Sequence, residues 1–230
     1  MAKKVKSSIY ETCEELREQI ILHQITPGTR ITEQSICDNH EVGRSTARNA
    51  LQLLAQTGLV ELIPNVGARV TVFSREQIKA LCAIKNDLEI YSLNRTLDYY
   101  HEQDFNAMYE IVERERKGSK DRDILSYLKA VEDFHNYIVD KVGNEYLSSI
   151  FHTLSNKYTV YQILYDAFYE LKEEELYSVE CHPRIIEAIR DRRPGSVHDV
   201  LDELSAAILS YYDYSNRTSA DTRDYPSVFF

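Results

Sequence analysis

The strongest constraint on the fold is a change of period along the chain. Ile9, Cys13, Leu16 and Ile20 recur at i, i+4, i+7 and i+11 behind a Ser8–Glu11 capping box, which predicts an amphipathic helix to about His23. Thr26, Pro27 and Gly28 stop it. Thr32 reads as the N-cap of a short second helix ending near Asn39, with Ile31 and Ile36 placed as a hydrophobic staple. A third helix begins at Gly43 to Ser45 and carries Ala47, Ala50, Leu51 and Leu54 on one face. The stretch "LVELIPNVGARVTVF" then switches to β-branched residues broken by Pro64-Asn65-Val66-Gly67, a hairpin signal with a four-residue connection. Three helices followed by a β-hairpin describe a winged helix-turn-helix.

Beyond Ser74 the pattern is helical almost throughout. Ser74 with Gln77 opens a helix to about Arg95, and further helices are expected at about 104–117, 122–141, 146–173, 183–192 and 195–213. "KGSKDRD" and "VGN" read as inter-helix connections, and the seven glycines and five prolines of the 230 residues agree with a mainly α chain. The expected division is a winged helix over 1–75, an all-helical effector-binding and dimerisation bundle over 76–214, and a tail over 215–230, loosely ordered or docked on a partner subunit.

No apolar run reaches the roughly 18 to 20 residues that cross a bilayer, and the N-terminus lacks the apolar core of a secretory signal. A cytoplasmic protein with no membrane partner is the expectation. Cys13, Cys37, Cys82 and Cys181 show no paired spacing, which argues against a disulfide framework and a Cys-rich zinc site. Charge is uneven: residues 1–75 hold nine Lys/Arg against eight Asp/Glu, whereas 76–230 hold 18 against 29. A near-neutral nucleic-acid module joined to an acidic ligand or partner domain fits that asymmetry.

The third helix leaves Arg44, Ser45, Arg48, Asn49 and Gln52 opposite its apolar stripe. In a helix-turn-helix the second helix of the pair enters the major groove with its N-terminal residues toward the bases. Arg suits guanine, Asn and Gln suit adenine, and Ser or Thr hydroxyls suit phosphate. Thr46 belongs to this set, while Gly67 lets a tight wing approach the duplex beside Arg69. A plain solvated helix face is the alternative reading of the same residues.

Residues 16–70 resemble the DNA-binding domain of the GntR family of bacterial transcription regulators. The likeness lies in "PGTRITE", in Arg44-x-x-x-Arg48-x-Ala50-Leu51, in "GLV" before the wing and in Gly67-x-x-Val70. Gly43 stands where the family usually has Ser or Thr, and Asn49 where it usually has Glu. The resemblance implies operator contacts from Arg30, Arg44 and Arg48, supported by Ser45, Thr46 and the wing from Asn65 to Gly67. A salt bridge to Glu33 is the other reading of Arg30.

Residues 76–214 resemble the FCD effector domain of one GntR branch, through "IKNDLE", "FHNYIVDKVGN" and "CHPRIIEAIRDRRP". Many members of that branch bind a divalent metal through one Asp and three His. His135 and His182 match two His positions, whereas Val131 and Leu204 stand at the Asp position and the remaining His position. The expectation is therefore no cofactor, with His135 and His182 facing an effector, each other or water, or serving as satisfied core histidines. Glu132, at i−3 from His135, is the acid that could substitute for the missing ligand, which leaves a bound divalent metal as the alternative. Tyr158, Tyr161, Tyr165 and Tyr169 form a helical stripe suited to an amphipathic pocket or an interface, and Lys157 could pair an anionic effector.

Together these readings describe a ligand-responsive regulator, not an enzyme, binding a double-stranded DNA operator of pseudo-palindromic sequence as a homodimer, with repression as the default. A helical metal-dependent hydrolase and a protein-binding winged helix without DNA affinity are the competing classes.

Overall fold

The computed structural model describes residues 8–64, 66–165, 168 and 176–221. It divides into two compact units, with the boundary in the chain between Phe73 and Ser74. The first contains α1 (Ile9–Ile21), β1 (Arg30–Thr32), α2 (Glu33–His40), α3 (Arg44–Gln56), β2 (Val60–Ile63) and β3 (Gly67–Val70). The second contains α4 (Arg75–Thr96), α5 (Glu102–Lys120), α6 (Ile124–Asp140), α7 (Glu145–Tyr165), α8 (Tyr177–Arg190) and α9 (Pro194–Asp221). The architecture is mainly α: a winged helix-turn-helix and a helical bundle.

In the first unit the Ser8–Glu11 box closes as expected, Ser8 Oγ accepting from the Glu11 amide at 3.1 Å. α1 buries Cys13, Leu16 and Ile20 against Ala47, Ala50, Leu51 and Leu54 of α3, and the alanines allow close approach. Thr32 caps α2, its Oγ1 accepting from the Ser35 amide at 3.0 Å, and Ile31 and Ile36 are both buried around it.

The hairpin connection is residues 64–66, because Gly67 already pairs with Ile63. A third strand, β1, has no sequence signal of its own. Three residues are too short for a period, and the segment becomes a strand only because β3 offers it an edge, giving the order β1-β3-β2. Gly67 has φ +137°, and a Cβ there would stand 2.2 Å from the Ile31 carbonyl oxygen. Only glycine fits where β3 meets β1.

In the second unit three helices depart from the expected limits. α5 runs through Gly118 to Lys120, because α6 crosses so closely that a Cβ on Gly118 would lie 2.6 Å from the Tyr127 amide nitrogen. α8 starts at Tyr177 and contains Pro183 in its interior. Burial of Cys181, Ile185, Ile186 and Ile189 outweighs the hydrogen bond that proline cannot donate. α9 continues to Asp221, since no Gly or Pro interrupts residues 196–221. For the expected helix 146–173, residues 166–167 and 169–175 lie outside the described residues, as do 222–230 of the tail.

Candidate functional site

In the first unit Gly43 caps α3 from an extended conformation without a side-chain bond, leaving the helix N-terminus open. Arg44, Ser45, Arg48 and Asn49 are exposed around that end, and Thr46 is half-buried. Arg48 is held by a fork to Glu33 at the start of α2, Nε at 2.7 Å and a terminal nitrogen at 3.1 Å. The Arg48 guanidinium keeps the Glu33 carboxyl below its usual range. Arg44 reaches toward Gln34 Oε1 at 3.5 Å. Glu33 thus engages Arg48, not Arg30.

Arg30 is exposed on β1 and lies directly across from Arg69 of β3, with Glu61 of β2 on the far side of Arg69. Like charges opposite each other in a sheet repel. Glu61 offsets one of the two, which leaves this row of the sheet with a net positive charge. Gly67 lies at the base of the wing, and Asn65 lies outside the described residues. Arg69 became a partner of Arg30 only through the unforeseen strand β1.

The second unit brings His135 of α6 and His182 of α8 together, their rings edge to face with centroids 5.1 Å apart. Each ring is backed by a buried carboxylate. His135 Nδ1 lies 2.8 Å from Glu89 Oε2, and His182 Nδ1 lies 2.6 Å from Glu115 Oε2. A carboxylate accepts, so Nδ1 is the donor in each contact, and His182 Nε2 is left buried in the core. Glu115 also accepts from Ser178 Oγ at 2.6 Å, and Ser178 meets the Tyr127 hydroxyl at 2.6 Å. Phe134 stacks on His182 with centroids 4.1 Å apart.

Lys85 completes the cluster at only 4% exposure. Its Nζ donates to Ser155 Oγ at 3.1 Å, lies 4.0 Å from Glu89 Oε1, and sits 4.1 Å from the centre of the Phe151 ring. Burial pulls this ammonium below the usual lysine range, with Glu89 pulling it back. Among the described residues, His182 Nε2 and Glu89 Oε1 have no hydrogen-bond partner. No group of three or more His, Cys, Asp or Glu among those residues could hold a metal ion.

Tyr158 joins this region through Lys85, whose Nζ lies 5.3 Å from its ring centre. Tyr161 and Tyr165 are placed against α9 instead. The Tyr161 hydroxyl donates to the Ile208 carbonyl at 3.0 Å, and Tyr165 stacks on Tyr161 and tilts against Tyr212. Tyr169 lies outside the described residues, and Lys157 is exposed. Val131 and Leu204 are buried. Glu132 pairs with Lys129 at 3.5 Å on the wall of a surface cleft. All four cysteines are free, and burial pushes Cys82 and Cys181 up to about 11, so neither is reactive near neutral pH.

Sequence reasoning missed Lys85, Glu89 and Glu115, although a signal was present. On α4 the steps Ile78, Cys82, Lys85, Glu89, Ser92, Thr96 follow 4-3-4-3-4, and on α5 Phe105, Met108, Val112, Glu115, Ser119 follow 3-4-3-4. The three charges occupy the inward seam.

Residues 9–70 match the model of the bacterial regulatory proteins of the gntR family, and residues 81–207 match that of the FCD domain. The chain belongs to the GntR family of bacterial transcriptional regulators, with an FCD domain. Among its relatives, the HTH-type transcriptional repressor RspR of Escherichia coli is 22% identical over 82% of this chain and 81% of its own. The regulator YdhC of Bacillus subtilis is 24% identical over 59% of this chain, and the match spans 61% of YdhC. A GntR regulator from Rhodococcus sp. RHA1 has the same fold, with a TM-score of 0.63 at 20% identity over 88% of this chain and 97% of its own. Among the described residues no helix is long and apolar enough to cross a membrane.

The core of this regulator should respond to acid. Burial holds His135 below the usual imidazole range, against the pull of Glu89. Below about 6.5 the unfolded chain therefore binds a proton that the folded one refuses, so the stability present above that pH is lost as pH falls. Urea unfolding at pH 8 and pH 5.5 should show this loss, and His135→Gln should reduce it. An identical pH slope in the variant would refute the assignment.

Proposed function

We propose that this chain is a ligand-responsive repressor that binds a pseudo-palindromic DNA operator as a homodimer. The exposed polar face at the open N-terminus of α3 carries the reading. Arg44, Ser45, Thr46, Arg48 and Asn49 supply base and phosphate contacts, and Arg30 with the wing at Gly67 and Asn65 grips the backbone. Glu33 holds Arg48 extended before DNA arrives, which lowers the ordering cost of a bidentate base contact.

The effector is a small anionic metabolite received near His135 and His182, with Tyr158, Tyr161 and Tyr165 following one another along α7. Its binding shifts the relative placement of two winged helices and so their fit to two half-sites. Exposed Ile84 and Tyr91 of α4 and Tyr146 and Ile150 of α7 offer apolar area for the dimer. The names of the relatives, all transcriptional regulators, support a non-enzymatic role, and the location that goes with such a role is the cytoplasm.

The test is a salt titration on the DNA upstream of the protein's own gene, against excess unrelated DNA. Wild type should bind specifically, with log affinity falling against log salt by about 0.9 per phosphate contacted. Arg48→Ala should lose about 1–3 kcal/mol of sequence discrimination, roughly 5- to 150-fold. Light scattering of the complex should give two chains per operator. Specific binding unchanged by the substitution would remove Arg48 from the interface, and one chain per site would remove the homodimer.

A further inference from the structure

The FCD resemblance implies a metal at four positions, and the residues here do not fit one. His135 and His182 have the carboxylate support that metal-ligating imidazoles need. Two nitrogens leave a tetrahedral site half built, and the other two positions are the buried hydrocarbons Val131 and Leu204. Glu132, the acid nearest in sequence, is paired with Lys129 at the surface cleft. The cation that does enter the core, beside the buried carboxylates Glu89 and Glu115, is an ammonium.

We infer that Lys85 is the resident cation of this core, standing in place of the metal ion that many members of the FCD branch bind and leaving the fold independent of metal. Lys85 and Glu89 are separated by one turn of α4, and each reaches a different helix. Lys85 Nζ bonds Ser155 of α7 at 3.1 Å, while Glu89 Oε2 meets His135 of α6 at 2.8 Å. The pair therefore ties three helices together, as an ion with ligands on several helices would. Phe151 and Tyr158 lie under the ammonium at 4.1 and 5.3 Å, and aromatic faces stabilise a cation that has lost its water. A dication introduced beside this ammonium would meet like-charge repulsion at low dielectric.

The test uses full-length protein, requires no DNA or effector, and so stands or falls apart from the operator reading. Wild type purified without chelator should carry far less than one metal ion per chain by elemental analysis. EDTA should leave its melting temperature unchanged, and added Zn²⁺ or Ni²⁺ should not raise it. Lys85→Met keeps the stem volume and removes the charge, stranding the Glu89 carboxylate, and should lower the melting temperature by several degrees. Adding Glu89→Gln should restore most of that loss, although Glu89→Gln alone is destabilising. One ion per chain, a melt that falls on chelation, or strictly additive effects of the two substitutions would overturn the inference. If Lys85→Met does not fold, a folded double variant carries the same coupling, and metal content with the EDTA melt decides in either case.

Discussion

Glu115→Leu is expected to lower the stability of the helical unit by about 3–5 kcal/mol, the cost of removing one member of a buried charged hydrogen-bonded group. Glu115 is fully buried and is the acceptor for both His182 Nδ1 and Ser178 Oγ. Leucine fills the volume but strands the imidazole, which is itself 0% exposed and whose Nε2 already lacks a partner among the described residues. In a unit of this size the loss should appear as a fall in melting temperature of roughly 6–20 °C. Glu115→Leu/His182→Leu should recover a substantial share, because an apolar pair of similar volume avoids the desolvation that the polar pair must offset. Urea unfolding followed by far-ultraviolet circular dichroism measures both variants. A single variant within about 1 kcal/mol of wild type would show that the network contributes little.

The second large effect is expected at Gly118→Ala. Alanine in a helix interior normally gains about 0.5–1 kcal/mol over glycine. Here the new Cβ would stand 2.6 Å from the Tyr127 nitrogen and 2.8 Å from its Cα, both backbone atoms that no rotamer change can move. Separating α5 from α6 should cost about 1–3 kcal/mol, enough to outweigh the propensity gain. Gly195→Ala is the matched control, since nothing lies within 4 Å of the Cβ it would add. Gly118→Ala should unfold at lower urea than wild type and Gly195→Ala at equal or higher urea. A stabilised Gly118→Ala would mean that the α5–α6 crossing is wider than described.

The helices of the first unit were legible because each has a strong local signal. Ser8 caps α1 as its spacing to Glu11 predicts, Thr32 caps α2 where the Ile31–Ile36 staple puts it, and in the second unit Ser74 caps α4 as its spacing to Gln77 predicts. The exposed face of α3 followed from its apolar stripe alone. Pro183 misled for an equally local reason: proline favours a first turn, and only the buried face of α8 shows that the helix had begun six residues earlier. "KGSKDRD" likewise reads as a connection until α6 is seen to need the missing side chain of Gly118.

Period and capping by themselves determined a winged helix ahead of a helical bundle and placed Arg44 and Arg48 on an open face, while His135 and His182 were marked only by the resemblance to the FCD domain. Tertiary structure decided what those residues meet. Glu89 and His135 are 46 residues apart, Lys85 and Ser155 are 70 apart, and Glu115 and His182 are 67 apart. A period of 3.6 states which side of a helix turns inward. It carries no information on which other helix will be there, and a charge on the inward seam is tolerable only when that neighbour supplies its partner.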